Sequence, residues 1–541
     1  MKVMVYHLRS EADAGVVFET MNSRGRKPNE LDLVKNYLLF LASKLDQETR
    51  RKLSADINDA WTVIFQQLSA AGRPDDEDTL LEMHWVTTYD YDRKRWASKR
   101  EKSDHIKGRF KPMIVQPEMH PQMATGVAEY VRTLKSTAVV YRDILQPGHS
   151  EAFQIFSANP AVRKQVVRFS EKLVRLGILR PFIPLLIAIR LKYPEDAQKY
   201  LEAVQLCEKY AFRVFRVVNA HSNTVESLLF RLGNLVYTGK MTLEVAFEEL
   251  RRDLLARCSD AVLAQSFDIQ ELNPWYGKRG LAYFLYEYEE ELFKPEEPII
   301  NWQTIVHGGA KSIEHILPQN PAEAGYWTDR FTDEERQRLI HQIGNLTLIL
   351  ADWNPSLGNK PFPLKKGVQG QDDRCYANSD LKITRLLVSV QAWTPEEIER
   401  RQQRLAEWAL KRWHVEAPPP LPDNLFEALK ARARQNGLGA EFSHIHELAK
   451  RLKLHPRAYK NGMSYRKPGD YTRGVLRLYY YPTGLDVKIN ALNFSASVGI
   501  SEMRIREILR VDRYAWVPLE QIPDFIQRLE QLAREVEGKR E

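Results

Sequence analysis

From Glu30 to about Leu292 the apolar residues recur mostly at three- and four-residue spacing, as in Leu31, Val34, Leu38 and Leu41. That is the pattern of stacked amphipathic helices, each burying one stripe against its neighbours. Asn29 is placed to cap the first of them, after Pro28 closes the preceding turn, and Asp32 sits where its charge favours the positive helix end. Further helices are predicted at 46–69, 123–145, 196–218 and 241–257, separated by Gly, Pro or Asn, with no visible repeat period. Two short stretches break the helical spacing, Val3 to Leu8 and Leu346 to Leu350, and both read as strands by length and β-branched content. The first has no second strand nearby, so its ladder groups need a partner from elsewhere.

Between Glu416 and Pro422 four prolines, Pro418, Pro419, Pro420 and Pro422, cannot continue the helix that ends near Trp413 and predict an extended spacer. After it, helices at about 423–435 and 442–453 precede a candidate hairpin, Val475 to Tyr481 and Leu485 to Ile489, and two more helices. At 541 residues the chain is too long for one core. The expected architecture is mainly α and multidomain. It has a helical region at 46–295, a strand–strand–helix segment within 296–415, a Pro-rich linker at 416–422 and a small α+β domain at 423–541.

Composition narrows the class. A 43% hydrophobic and 28% charged chain with no apolar run near the roughly 18–20 residues of a membrane span reads as soluble and globular. There is no membrane partner to expect and no secretory signal at the start, so a cytoplasmic location is expected. Cys207, Cys258 and Cys375 lie far apart without a CxxC pair, which argues against a zinc cluster or a disulfide framework. The net charge of +8 suits a polyanionic partner. Basic residues gather between Arg93 and Lys111 around Trp96 and Phe110, a stretch that reads either as a solvated loop or as a surface lying along phosphates. Tyr479, Tyr480 and Tyr481, with Arg473, Arg477 and Lys488, can either stack nucleic-acid bases or pack a sheet face.

The most informative segment is Ile313-Glu314-His315-Ile316-Leu317-Pro318, followed by Ile343-Gly344-Asn345-Leu346-Thr347-Leu348 and then Asn354, Asn359, Lys360 and Lys365. Phosphodiester hydrolysis needs a base for water, and the imidazole of His315 suits that task near neutral pH. It also needs a divalent cation, and the carboxylate of Glu314 and the amide oxygen of Asn354 are hard ligands of the kind that Mg²⁺ or Mn²⁺ prefers. Adjacent strand residues face opposite ways, so Glu314 and His315 serve one phosphate only if the strand ends there, which Pro318 favours. Asn345 opens the second strand, where its amide reaches the loop that carries His315. His341 is assigned to the face of the preceding helix and left outside the site.

This strand, strand, helix order with its His, Asn and Asn resembles the ββα-metal fold of HNH nucleases. Glu-His-Ile-Leu-Pro-Gln with Ile-Gly-Asn-Leu-Thr-Leu and Asn-Pro-Ser-Leu-Gly-Asn is similar to the nuclease domain of GmrSD-type, modification-dependent restriction proteins, and Trp393 to Trp413 resembles the closing helix of that domain. The resemblance implies a metal-dependent endonuclease of a restriction or anti-phage defence system. In it Glu314 and Asn354 are metal ligands, His315 is the base and Asn345 orients it, with phosphate contact expected of Asn359, Lys360 and Lys365. The expected partner is DNA, including modified phage DNA.

A second likeness covers Val17 to Gly25 and Leu31 to Asn36, similar to the end of the ParB-like companion domain of the same family. Residues 1–45 then read as its truncated remnant, with Asn22, Arg24 and Gly25 at an effector site completed by a separate polypeptide. The family's Asp-Gly-Gln-Gln-Arg motif is missing, which argues against a bound nucleotide. The competing expectation is a catalytically silent DNA-binding or assembly subunit of a split restriction system.

Overall fold

The structure, a computed structural model, describes residues 29–538 apart from 90–102, 222, 270–273, 295–296, 322–324, 372–373, 419–424, 436–437, 460–461, 467–473, 482–483, 513 and 518–520. The strand expected at Val3 to Leu8, the effector residues Asn22, Arg24 and Gly25, most of the basic stretch from Arg93 and most of the Pro-rich spacer lie outside the described residues.

The fold is mainly helical, as the spacing predicts. Asn29 caps the helix Glu30–Ala42 by accepting from the Asp32 amide at 2.7 Å, and Leu31, Val34, Leu38 and Leu41 form its buried stripe. The next helix, Gln47–Ala70, is capped by Asp46 and buries Trp61, whose indole donates back to the Leu31 carbonyl at 3.2 Å. The stretch predicted at 196–218 is an α-helix, Ala197–Tyr210, that widens into a π-helix over Ala211–Val217. Such widened turns recur at functional sites. No described helix is long and apolar enough to cross a membrane.

The chain divides into two compact units, Met1–Gly233 with Glu249–Ala417, and Asn234–Glu248 with Pro418–Glu541. In the first, helices Ala197–Tyr210, Leu281–Leu292 and Pro395–Arg412 are tied together by buried charge. Glu208 accepts from Tyr283 Oη at 2.6 Å, from Trp413 Nε1 at 2.8 Å and from Arg412 Nη2 at 3.2 Å. Arg412 also meets Glu287 at 2.9 Å, and Glu287 pairs with Lys172. Phe212, on the π-helix, stacks on Trp413 with ring centroids 3.7 Å apart.

In addition to the short strands β1 (Ile313–His315) and β2 (Leu346–Leu348) of the first unit, the second unit carries a five-stranded antiparallel sheet of its own in the order β3 (His455–Tyr459), β4 (Gly462–Arg466), β5 (Gly474–Tyr481), β6 (Gly484–Asn490) and β7 (Tyr514–Val517). The hairpin expected from the sequence is its centre, and Pro456 sits on an edge strand, where a missing N–H is tolerated. Leu476, Leu478, Val487 and Ile489 pack with Phe525, Leu529 and Leu532 of the helix Ile522–Gly538 in one buried cluster. Arg473 and the side chains of Tyr479, Tyr480 and Tyr481 lie outside what the structure describes.

Candidate active site

The site is built on a minimal hairpin of the first unit. β1 (Ile313–His315) pairs antiparallel with β2 (Leu346–Leu348), with Glu314 opposite Thr347 and His315 opposite Leu346. β1 stops at His315, where the approach to Pro318 turns the chain away, and β2 is shorter than the five residues expected. The short helix Asn354–Leu357 follows β2.

Asn345 is fully enclosed and uses every hydrogen-bonding capacity of its amide. Its Oδ1 accepts from the Leu317 amide at 2.8 Å and from Trp393 Nε1 at 3.1 Å, while Nδ2 donates to the Leu317 and Ile340 carbonyls, both at 2.9 Å. The Ile316 amide adds a bond to the Asn345 carbonyl at 3.0 Å. The loop after His315 is thereby pinned from both sides, which fixes the direction in which that side chain leaves. The turn before Asn345 is held in its place from behind. Arg401, on the helix Pro395–Arg412, donates to the carbonyls of Ile343, Gly344 and Leu346 at 3.1, 2.8 and 2.7 Å. Gly344 allows that helix to come close, since a Cβ there would lie 2.2 Å from the Ile398 carbonyl oxygen.

Glu314 is 2% exposed, yet it lines an open cleft of about 420 Å³ together with His315, Asn354 and Asn359. Lys365 Nζ donates to Glu314 Oε1 at 2.7 Å and Tyr376 Oη donates to the same oxygen at 2.9 Å. Both bonds fall on Oε1, leaving Oε2 to the cleft. Burial pushes the Glu314 carboxyl up and the Lys365 ammonium down, each opposed by the charge of the other. Lys365 is fully buried and also donates to the His315 carbonyl at 2.9 Å. Its position is that of a counter-ion to Glu314, in contrast to the phosphate contact expected of it. Asn354 Nδ2 donates to the carbonyls of Lys311 and Ile313 at 2.8 Å each, so both amide hydrogens turn inward and Oδ1 is the atom of the amide left to accept. Asn359 and Lys360 are exposed. Asn359 lines the cleft, and the carbonyls of both accept from Trp327 Nε1.

His315 has a partner on each ring nitrogen. Gln319 Nε2 lies 3.3 Å from Nδ1, and His341 Nδ1 lies 3.2 Å from Nε2. In this orientation of the Gln319 amide, Nδ1 accepts and the ring proton sits on Nε2, donated to His341. Burial, followed by the charges of His341 and Lys365, pushes His315 down to about 3, so its ring is neutral near pH 7 and its lone pair is basic in form. His341 follows the helix Asp333–Leu339 and is not a member of its face, which corrects its exclusion. Tyr276 was also missed. Its ring stacks on His341 at 5.1 Å and meets His315 edge-on at 4.4 Å. The spacing His-x-Ile-Gly-Asn, which sets His341 beside the turn that holds His315 in place, was a usable signal. Tyr276, next to Trp275 in a short segment that matches no motif, offered none.

The carboxylate oxygen of Glu314 and the amide oxygen of Asn354 fit a hard divalent cation that keeps several waters. Among the described residues no group of three or more His, Cys, Asp or Glu is placed to hold a metal ion.

Residues 261–408 match the family described as GmrSD restriction endonucleases, C-terminal domain. The match spans every element of the cleft, from Tyr276 to Arg401, and supports a restriction endonuclease role for this chain. Comparison with curated proteins finds no match.

Proposed function

We propose that this chain cuts DNA as a metal-dependent nuclease of the HNH, ββα-metal type, acting in a restriction or anti-phage defence system. The observation that supports this best is the convergence of Glu314, His315 and Asn354 on one cleft, with Asn345 spent entirely on holding the loop that carries the base. In this reading Nδ1 of His315 takes a proton from water once Gln319 yields to it, while His341 keeps the other ring proton in place. Lys365 and Tyr376 hold Oε1 of Glu314 so that Oε2 stays directed at the cleft. A bound Mg²⁺ or Mn²⁺ supplies charge neutralisation at the phosphate and at the departing oxygen. Asn359 is placed to meet a phosphate oxygen from the cleft wall.

The test is cleavage of supercoiled plasmid and phage genomic DNA with Mg²⁺ or Mn²⁺ and with EDTA, comparing the intact chain with His315→Ala. Metal-dependent cutting that the substitution removes supports the nuclease. Absence of cutting on any DNA turns the reading to a silent subunit of a split system.

A further inference from the structure

A second and larger cleft of about 1220 Å³ adjoins the first, and Tyr276 lines both. Its walls come from the loop after Gly177, from the end of the π-helix at Arg216 and from the turn Gly277 to Arg279. The carboxylate on its wall, Glu226, is already bound to Arg180 at 2.9 Å, and Arg180 also reaches Glu82 at 2.8 Å. Among the described residues, Arg216, Lys278 and Arg279 have no such ion pair. Arg216 donates to the Leu176 backbone carbonyl. Lys278 Nζ is enclosed, 4.9 Å from the centre of the Trp275 ring, and has no hydrogen-bond partner among the described residues. Arg279 is exposed at the rim beside Gly277, whose φ of +88° turns the backbone sharply there. Burial, and after it the like charge of Arg279, holds Arg216 below the ordinary guanidinium value. Two guanidinium groups of like charge, an enclosed ammonium next to one of them in the chain and, among the described residues, no carboxylate paired with any of the three make a site whose missing component is anionic.

We propose that this cleft is the track for the DNA strand on one side of the cleaved bond, its backbone phosphates met by Arg216 and Arg279 and drawn by the enclosed charge of Lys278. The proposal rests on the nuclease reading for its direction. The shared residue Tyr276 connects the track to His315, and the cleft is larger than the roughly 300–1,000 Å³ of a small-ligand pocket. A strand lying there passes the ring of Tyr276 before its phosphate reaches Glu314, and the exposed Arg279 is the first cation that it meets.

The experiment measures binding apart from cutting. Anisotropy of a labelled DNA duplex is followed without divalent metal in the His315→Ala background, over a range of salt. To this background Lys278→Gln with Arg279→Gln is added, or, as a control of equal charge, Lys52→Gln with Lys164→Gln on exposed helix surfaces. Arg216 is left in place because it also holds the Leu176 carbonyl. The cleft pair is expected to weaken binding by about tenfold or more and to reduce the slope of log affinity against log salt by about 1 for each phosphate that is no longer neutralised. The control pair changes neither, and thermal melting is the same for both. That result upholds the track even if the unmodified chain fails to cut, in which case the nuclease reading falls alone. Unchanged affinity and slope in the cleft pair, or no binding of DNA by the parent, overturns the track and leaves any observed cutting to stand by itself. Loss of binding to a labelled nucleoside triphosphate, with DNA binding untouched, also overturns it and makes the cleft a nucleotide site.

Discussion

Two histidines of the first unit carry the same shift for different reasons. His84, within the helical region, is fully enclosed, bonds Thr133 Oγ1 through Nε2 at 2.9 Å and stands edge-on to the Tyr130 ring at 5.0 Å. Burial alone pushes it down to about 3. His315 is pushed to about 3 as well, but by burial together with His341 and Lys365, and it lines an open cleft beside a carboxylate. A depressed imidazole value therefore does not mark a catalyst. What separates the two is access, a partner on each ring nitrogen, and a neighbouring Glu314 with one oxygen unspent.

The comparison is tested most strongly by His315→Ala against His84→Ala. The first is expected to lower cleavage by about 10²–10⁴-fold with little change in melting temperature. The second leaves cleavage nearly unchanged but costs about 2–5 kcal/mol of stability as a large-to-small core substitution, read by urea unfolding. Next is Lys365→Met, which leaves Glu314 buried without its counter-ion and costs about 3–5 kcal/mol. If Glu314 is a metal ligand, Mg²⁺ restores part of that loss, and thermal melting with and without the ion reads the difference. A melting temperature indifferent to Mg²⁺ in this variant argues against the ligand role. Gly344→Ala brings a methyl group against the Ile398 carbonyl and is expected to cost about 1–3 kcal/mol and to lower cleavage by loosening the turn at Asn345.

The pH dependence has a definite sign. Both histidines are held neutral in the fold, so between about pH 3 and 6.5 the unfolded chain binds more protons than the folded one. Stability is complete above 6.5, the ordinary histidine value, and is lost as pH falls toward 3. Removing one such group, as in His84→Gln, should flatten the acid slope by about 1.4 kcal/mol per pH unit, measured by urea unfolding across that range. Cleavage should keep its rate on falling through pH 6.5, since His315 is still neutral there. An acid limb centred on the ordinary value would break the parallel between the two rings.

Legibility followed how many neighbours in sequence share one task. Glu314 and His315 are adjacent, and Asn345 precedes a strand that pairs with theirs, so a strand that ends and a strand that begins were enough to bring them together. The regular spacing of Leu31, Val34, Leu38 and Leu41 was equally plain, because one helix face buries all four. Lys365 was visible as a cation near the motif, but its burial beside Glu314 depends on where the helix Phe362–Lys366 docks, which no local pattern encodes. The same holds for the turn Tyr276 to Arg279, whose approach to His315 and to Arg216 of the π-helix depends on packing between segments far apart in the chain. In the second unit β3 and β4 went unrecognised because they are short and carry Pro456, Gly462 and charged residues in place of β-branched runs, and β7 because it is only four residues long.

The anchoring of Arg412 and Trp413 has a practical reach. The family match ends at 408, just before these two residues, whose grip is on Glu208 and Phe212 far upstream. A nuclease segment cut out along the match would keep every atom of the cleft chemistry and lose the clamp on the helix whose Arg401 steadies Asn345. On the nuclease reading, transplanting the activity into another protein means carrying residues 197–217 along with it, and an insertion in that distant helix is expected to lower cleavage as one beside His315 does.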